Sequence, residues 1–217
     1  MILNKTISFG EENVSGVIVP AVREAAIDPD EARFIESLKT GDTVAFETLV
    51  ALYTRDIYGV LYRLTENAEE AGDLTQETFL GAFRSIKGFR GESGLKTWLY
   101  RIAINESRNR FRWWKRRRRE TTISIDASLP NSNSSLGETL IDRSISPEEE
   151  ALRREREYAL RAALSGLSDT YREAVVLCDI EGLSYEETAH ALDVTIGTVK
   201  SRISRGRDEL RRKLRDL

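Results

Sequence analysis

The sequence predicts an all-α fold: two helical domains joined by a flexible linker. Three observations carry this expectation. From Pro29 onward apolar residues recur three and four apart, and nothing alternates as a strand would. The stretch ETTISIDASLPNSNSSLGETLIDRSIS, 120–146, is rich in Ser, Thr, Asn and Gly without a sustained apolar period, and about 27 such residues are too many for a loop within one compact domain. Helical signals then return and continue to the C-terminus. The expected division is an N-terminal extension at 1–28, a first domain at 29–118, a linker at 119–146 and a second domain at 147–217.

Residues 1–28 mix Gly, Ser, Val and charges without a period and are read as a mobile extension. Their most apolar run, GVIVPAV at 16–22, is too short to span a membrane and lacks the basic flank of a signal peptide. The first domain opens with helices whose apolar members include Phe34 and Leu38, then Phe46, Leu49 and Val50, then Ile57, Val60, Leu61 and Leu64. Gly41, followed by Asp42 as N-cap, separates the first two. A turn, FRGESG at 89–94, leads into a long helix from Ser93 to about Arg117. On that helix Leu95, Leu99, Ile102 and Ala103 form a core-facing strip, whereas Trp98, Arg101, Asn105, Arg108 and Arg112, spaced 3, 4, 3, 4, form a different one.

The second domain begins where Ser146 caps a helix, Pro147 occupies its first position and glutamates sit at the positive end of its dipole. Ser184 and Glu187 have capping-box spacing, with Leu183 ahead as a staple. That helix stops near Asp193, and another starts around Ile196 with Val199, Ile203, Leu210 and Leu214 along one stripe and Gly206 beside it. Opposite the stripe lie Thr198, Ser201 and Arg205, flanked by Lys200 and Arg202. Two short helices and a turn, the second helix presenting hydroxyls and guanidinium forks, suit a helix-turn-helix reading base edges and phosphates. The competing reading is a solvated basic helix in an ordinary bundle.

Charge is near balance overall, with 33 Lys+Arg and 36 Asp+Glu, but is laid out in blocks. Asp28 to Phe79 holds 12 acidic and 4 basic residues, Arg84 to Arg119 holds 2 and 13, and Thr195 to Leu217 holds 3 and 8. Such blocks point to one surface for a protein and others for phosphates. On the Trp98 strip, cations hold phosphates, an amide reads a base and an indole stacks on an unpaired one, while Phe89 and Arg90 on the preceding turn suit a pocket for an extruded base. The alternative makes Trp98, Trp113 and Trp114 core packing and Lys115 to Arg119 a solvated tail. A single cysteine, Cys178, excludes an intrachain disulfide and favours a reducing, cytoplasmic setting. His190 and Cys178 supply no metal cluster, and with no catalytic triad or P-loop, neither enzyme, cofactor nor metal is expected.

Taken together, DLTQETFLGAFRSIKGFRGESGLKTWLYRIAINESRNR at 73–110 and LSDTYREAVVLCDIEGLSYEETAHALDVTIGTVKSRISRGRDELRRKL at 167–214 resemble the two domains of bacterial extracytoplasmic-function (ECF) sigma factors of the sigma-70 family. The resemblance implies that the first domain, region 2, binds the β′ clamp coiled coil of core RNA polymerase through Asp73, Gln76, Glu77 and Phe79. It implies that Phe89, Arg90, Lys96, Trp98, Arg101, Asn105, Arg108, Asn109 and Arg112 engage the −10 element as it opens. Region 4 would read the −35 duplex through Thr198, Lys200, Ser201, Arg202 and Arg205 and dock on the β flap. The linker would thread through the polymerase, and an anti-sigma factor would be a further partner. The 28-residue extension and the Lys115 to Arg119 run depart from a minimal family member. The rival class is a helix-turn-helix regulator binding duplex DNA without joining the polymerase, which leaves the basic-aromatic helix and the acidic helix before it without a task.

Overall fold

The computed structural model describes residues 29–120 and 147–215; the expected extension, most of the linker and the Ser146 cap lie outside them. Among the described residues all regular structure is helical. Helix α1, Pro29–Thr40, ends at Gly41, whose φ of 85° closes the turn that lets Asp42 cap α2, Thr43–Thr65. The Asp42 carboxylate accepts the Val44 amide at 2.9 Å, as the sequence suggested. Asn67 caps α3, Ala68–Ser85, by accepting the Glu70 amide. A 3₁₀ turn, Ile86–Gly88, and the glycine-rich loop lead into α4, Leu95–Glu120. The first amide of α4 donates to the Glu31 carboxylate of α1, so an anion lies at the positive end of the longest described helix.

The second unit comprises α5, Pro147–Ser165; α6, Asp169–Val175, which runs into a π-helical turn, Val176–Ile180; α7, Tyr185–Leu192; and α8, Ile196–Arg215. The capping box is formed in both directions, Ser184 accepting the Glu187 amide and Glu187 accepting that of Ser184. Asp193 ends α7 in the left-handed region at φ 57°. Of the predicted α8 stripe, Val199, Ile203 and Gly206 are buried and Leu210 packs partly on the core, while Ile196 and Leu214 remain exposed. Gly206 is a packing glycine: a Cβ there would lie 2.7 Å from Val175 Cγ2. Gly206→Ala is expected to destabilise the fold by about 1 kcal/mol net, overpacking of about 2 kcal/mol outweighing the helix-propensity gain of about 1. A urea unfolding midpoint that does not fall would contradict this.

The two units share their core. One continuous buried cluster runs from Ile35 and Leu38 through Leu49, Leu61, Leu99 and Ile104 to Leu177, Leu192 and Ile203. Helices α2 and α4 pack directly on α5, α6 and α7. Polar groups complete the seam. Tyr100, buried in α4, donates its hydroxyl to Glu181 at 2.7 Å, and Arg63 donates to the same carboxylate at 3.0 Å. Burial and that bond raise the Tyr100 phenol far above its ordinary range, so it stays a donor at physiological pH. Arg172 reaches from α6 to the Leu64 carbonyl at the end of α2 while also holding the Leu167 carbonyl.

Candidate nucleic-acid interface

Helix α4 places its Trp98–Arg101–Asn105–Arg108–Arg112 strip apart from Leu95, Leu99 and Ala103, as counting implied, and through Arg101 and Arg108 the strip meets the second unit, which the sequence did not indicate. The loop at 89–94 and the start of the strip enclose a cavity of about 320 Å³ lined by Phe89, Arg90, Thr97, Trp98, Arg101 and, from α7, His190. Its size is at the lower end of small-ligand pockets. Phe89 is buried and packs on the Trp98 ring at 5.2 Å while lining the cavity. Phe89 follows the 3₁₀ turn directly and belongs to the buried cluster. Trp98 is half-buried, and Arg90 is exposed on the loop.

Arg108 and Arg101 are already engaged. Arg108 grips Glu173 of α6 with two bonds, Nε to Oε1 at 2.8 Å and Nη2 to Oε2 at 2.6 Å, and its Nη1 donates to the Leu192 carbonyl. The hydrogen bond to Glu173 raises the Arg108 guanidinium above its ordinary value despite partial burial, so its charge is secure. Arg101 pairs with Asp193 at 3.3 Å. Asn105, Asn109 and Arg112 are exposed, and Arg112 donates to the Asn109 side chain. Lys96 does not join this strip: it pairs with Asp56 of α2 at 2.6 Å and lies over the Tyr100 ring. Beyond Arg108, α4 continues as an exposed basic and aromatic rod, with Trp113 and Trp114 packed edge to face, Arg117 over Trp113, and Trp114 donating to Glu70 of α3. Neither tryptophan is core packing.

The far face of α8 is open. Lys200, Ser201 and Arg205 are exposed, Thr198 and Arg202 half-buried. Thr195 accepts the Thr198 amide and its hydroxyl bonds that of Thr198 at 2.9 Å, so Thr198 helps to build the start of the helix as well as facing outward. Arg207, in contrast, is held by Asp179 of the π-helical turn, which raises its guanidinium well above the ordinary value and fixes it as a structural cation. Spacing alone separates the exposed Arg205 from the anchored Arg207 poorly; the partner on a distant turn decides it.

On α3, Asp73, Gln76 and Glu77 are exposed along one face. Phe79 is not part of it: only 7% of its surface is accessible, and it belongs to the core. The apolar positions on that face are instead Leu80, 47% exposed, and Phe83, 57% exposed, whose ring meets Phe46 edge to face at 5.0 Å. A 3-4 count from Asp73 through Gln76 to Leu80 and Phe83 contains this answer, since Phe79 falls off that line.

This is a two-unit helical nucleic-acid-binding protein by its geometry: a helix-turn-helix with an open basic face, and a bundle that bears a cationic, aromatic strip and an acidic one. Comparison with known proteins sharpens that class. Residues 49–119 match the family Sigma-70 region 2, and residues 157–210 match Sigma-70, region 4. The chain is 36% identical to the RNA polymerase sigma-H factor of Pseudomonas aeruginosa, over 86% of this chain and 95% of that one. It is 38% identical to the ECF RNA polymerase sigma-E factor of Haemophilus influenzae, over 84% of this chain and 94% of that one. Among solved structures, the sigma factor RpoE of Bartonella quintana, determined with the anti-sigma factor NepR, aligns with a TM-score of 0.60 and 27% identity, covering 78% of this chain and 96% of that one. The chain belongs to the extracytoplasmic-function sigma factors of the sigma-70 family and acts in promoter-directed transcription initiation. No described helix is long and apolar enough to cross a membrane.

Proposed function

We propose that three surfaces divide the work of this sigma factor. The α3 face, Asp73, Gln76 and Glu77 with Leu80 and Phe83, docks on the β′ clamp coiled coil of core RNA polymerase, its apolar pair supplying the anchor and its carboxylates the complement to a basic partner. The α4 strip, with Asn105, Arg108, Asn109 and Arg112, holds the −10 element as its strands part, and the Phe89–Trp98 cavity receives an extruded base. Contacts of this kind are each worth about 1 to 3 kcal/mol, comparable with the base stacking they replace, so opening needs no nucleotide hydrolysis. The exposed face of α8 reads the −35 duplex through Lys200, Ser201 and Arg205, with Thr198 and Arg202 at its margins. Docking of the second unit on the β flap and capture by an anti-sigma factor complete the scheme; the latter is supported by the Bartonella sigma factor having been solved with one.

One observation carries this reading: chemically distinct exposed faces, acidic-apolar on α3, basic-aromatic on α4 and basic-hydroxyl on α8, lie on three different helices. The test is capture of core polymerase by the purified chain, followed by run-off transcription. Promoter-specific transcripts with core enzyme alone are expected; a duplex-binding regulator would yield none. In the same assay Arg205→Ala is expected to lower −35 affinity by about 1 to 3 kcal/mol. Equal loss on scrambled −35 sequences would reduce the residue to a phosphate contact. Asn105→Ala, at an exposed position on α4, is expected to weaken −10 opening in permanganate footprinting while leaving core capture intact.

A further inference from the structure

A second cavity, of about 490 Å³, lies where the end of α2, the middle of α4 and the start of α6 meet, and its volume falls within the range of small-ligand sites. Arg108, Phe111, Arg112 and Lys115 line it from one face of α4, at i, i+3, i+4 and i+7, with Asn105 nearly a turn earlier. Asp169, Arg172 and Glu173 line it from α6. Four cations therefore face two carboxylates. Two of the four are occupied: Glu173 holds Arg108, and the Leu64 carbonyl with Glu66 holds Arg172. Arg112 and Lys115 are exposed, and the side chain that Arg112 meets, Asn109, is neutral. Phe111 is 38% exposed, an aromatic ring left at the cavity rather than in the core. The three surfaces assigned above use neither Phe111, Lys115 nor Asp169.

We propose that this cavity binds a free ribonucleoside triphosphate. Inorganic phosphate would need cations alone; an aromatic face, an amide and a carboxylate in the same space fit the organic part of a nucleotide. The base stacks on Phe111 and presents its edge to Asn105, and Arg112 and Lys115 hold the phosphates. Asp169 accepts the sugar hydroxyls, a bond that carboxylates make with ribose in nucleotide-binding folds. A nucleic-acid strand is a poorer occupant, because a longer run of phosphates brings more negative charge toward Asp169 and Glu173. Asn105 and Arg112 also belong to the strip assigned to the −10 element, so nucleotide and promoter strand compete. That consequence rests on the −10 assignment; the binding itself does not.

The test is isothermal titration of the full chain, without polymerase, with GTP, ATP, their deoxy counterparts and inorganic tripolyphosphate. One ribonucleotide per chain is expected to bind saturably with a Kd below about 1 mM, the deoxy form more weakly, and tripolyphosphate about tenfold more weakly. Phe111→Ala should weaken nucleotide binding about tenfold and leave tripolyphosphate unchanged, as loss of one stacking platform requires. Lys115→Gln should weaken both ligands, and Asp169→Asn should narrow the gap between ribose and deoxyribose. All three positions are exposed, so an unchanged urea midpoint is expected to accompany each effect. Arg116→Gln, an equal loss of charge on an exposed residue that does not line this cavity, should leave binding as it was. The site is overturned by absence of saturable binding, by tripolyphosphate binding as tightly as the nucleotides, or by Arg116→Gln and Lys115→Gln acting alike. None of these results touches the −10 assignment. Binding that is confirmed but leaves permanganate-detected promoter opening unslowed keeps the site and overturns the competition.

Discussion

Leu80→Asp combined with Phe83→Asp is expected to abolish the proposed capture of core RNA polymerase while leaving the helical fold intact. Both side chains are about half exposed on α3, in line with Asp73, Gln76 and Glu77, and neither is among the buried core. Their removal therefore costs far less than loss of a core residue, about 1 kcal/mol for the Phe83 contact with Phe46. At an interface the arithmetic is different. Apolar anchors at the centre of a contact are commonly worth about 2 kcal/mol each, and placing a carboxylate there adds a desolvation cost, so a loss of roughly a thousandfold in affinity follows. Phe79→Ala is the contrasting variant. Because Phe79 lies in the core, its loss should unfold the first unit by about 3 to 5 kcal/mol and weaken capture only through that route. A pull-down with unaltered yield for the double aspartate variant, at unchanged circular dichroism, would remove α3 from the polymerase interface.

Arg172→Ala is expected to be the most damaging single polar substitution in the seam, at about 3 to 5 kcal/mol. The side chain is 11% exposed and spans both units: Nη1 donates to the Leu64 carbonyl at 3.0 Å and to Glu66, and Nη2 donates to the carbonyls of Leu167 and Ser165. Truncation leaves those acceptors facing a void in place of a guanidinium. Each acceptor left unpaired in the interior costs about 1 to 3 kcal/mol. Lysine would not substitute, since a single ammonium cannot reach acceptors on opposite sides of a planar fork. Chemical denaturation of the full chain checks this. A loss below about 1 kcal/mol would mean that water reaches the carbonyls and that Arg172 is replaceable.

Much of the candidate site was legible residue by residue. The strip on α4 separated from the core strip by counting, because a helix of fixed period leaves no choice about which residues share a face. Asp42, Ser184 and Glu187 announced helix starts through their own side chains, and each makes the bond its type and spacing implied. Phe79 lies in the core rather than on the α3 docking face, for a reason that spacing does not reveal. An aromatic side chain beside a functional face has a large burial gain available on either side, and its neighbours in sequence do not say which helix will cover it. Lys96 went astray differently: its partner, Asp56, belongs to α2, and no local pattern encodes a pair forty positions apart in sequence. Leu80 and Phe83 were overlooked because exposed apolar residues look like core residues until the packing is known.

By itself, then, the amino-acid order determined an all-helical chain in two units, the faces of its amphipathic helices, the block pattern of charge and the helix-turn-helix near the C-terminus. All of these are properties of contacts a few residues apart, where periodicity and capping act directly. Only the tertiary structure decided that the units share one buried core, that Arg108 and Arg101 are spent on Glu173 and Asp193, that Arg207 is an anchor while Arg205 faces outward, and that α3 presents Leu80 and Phe83. Those outcomes depend on which distant groups meet, and a charged side chain takes whichever partner the packing of apolar surfaces brings within reach.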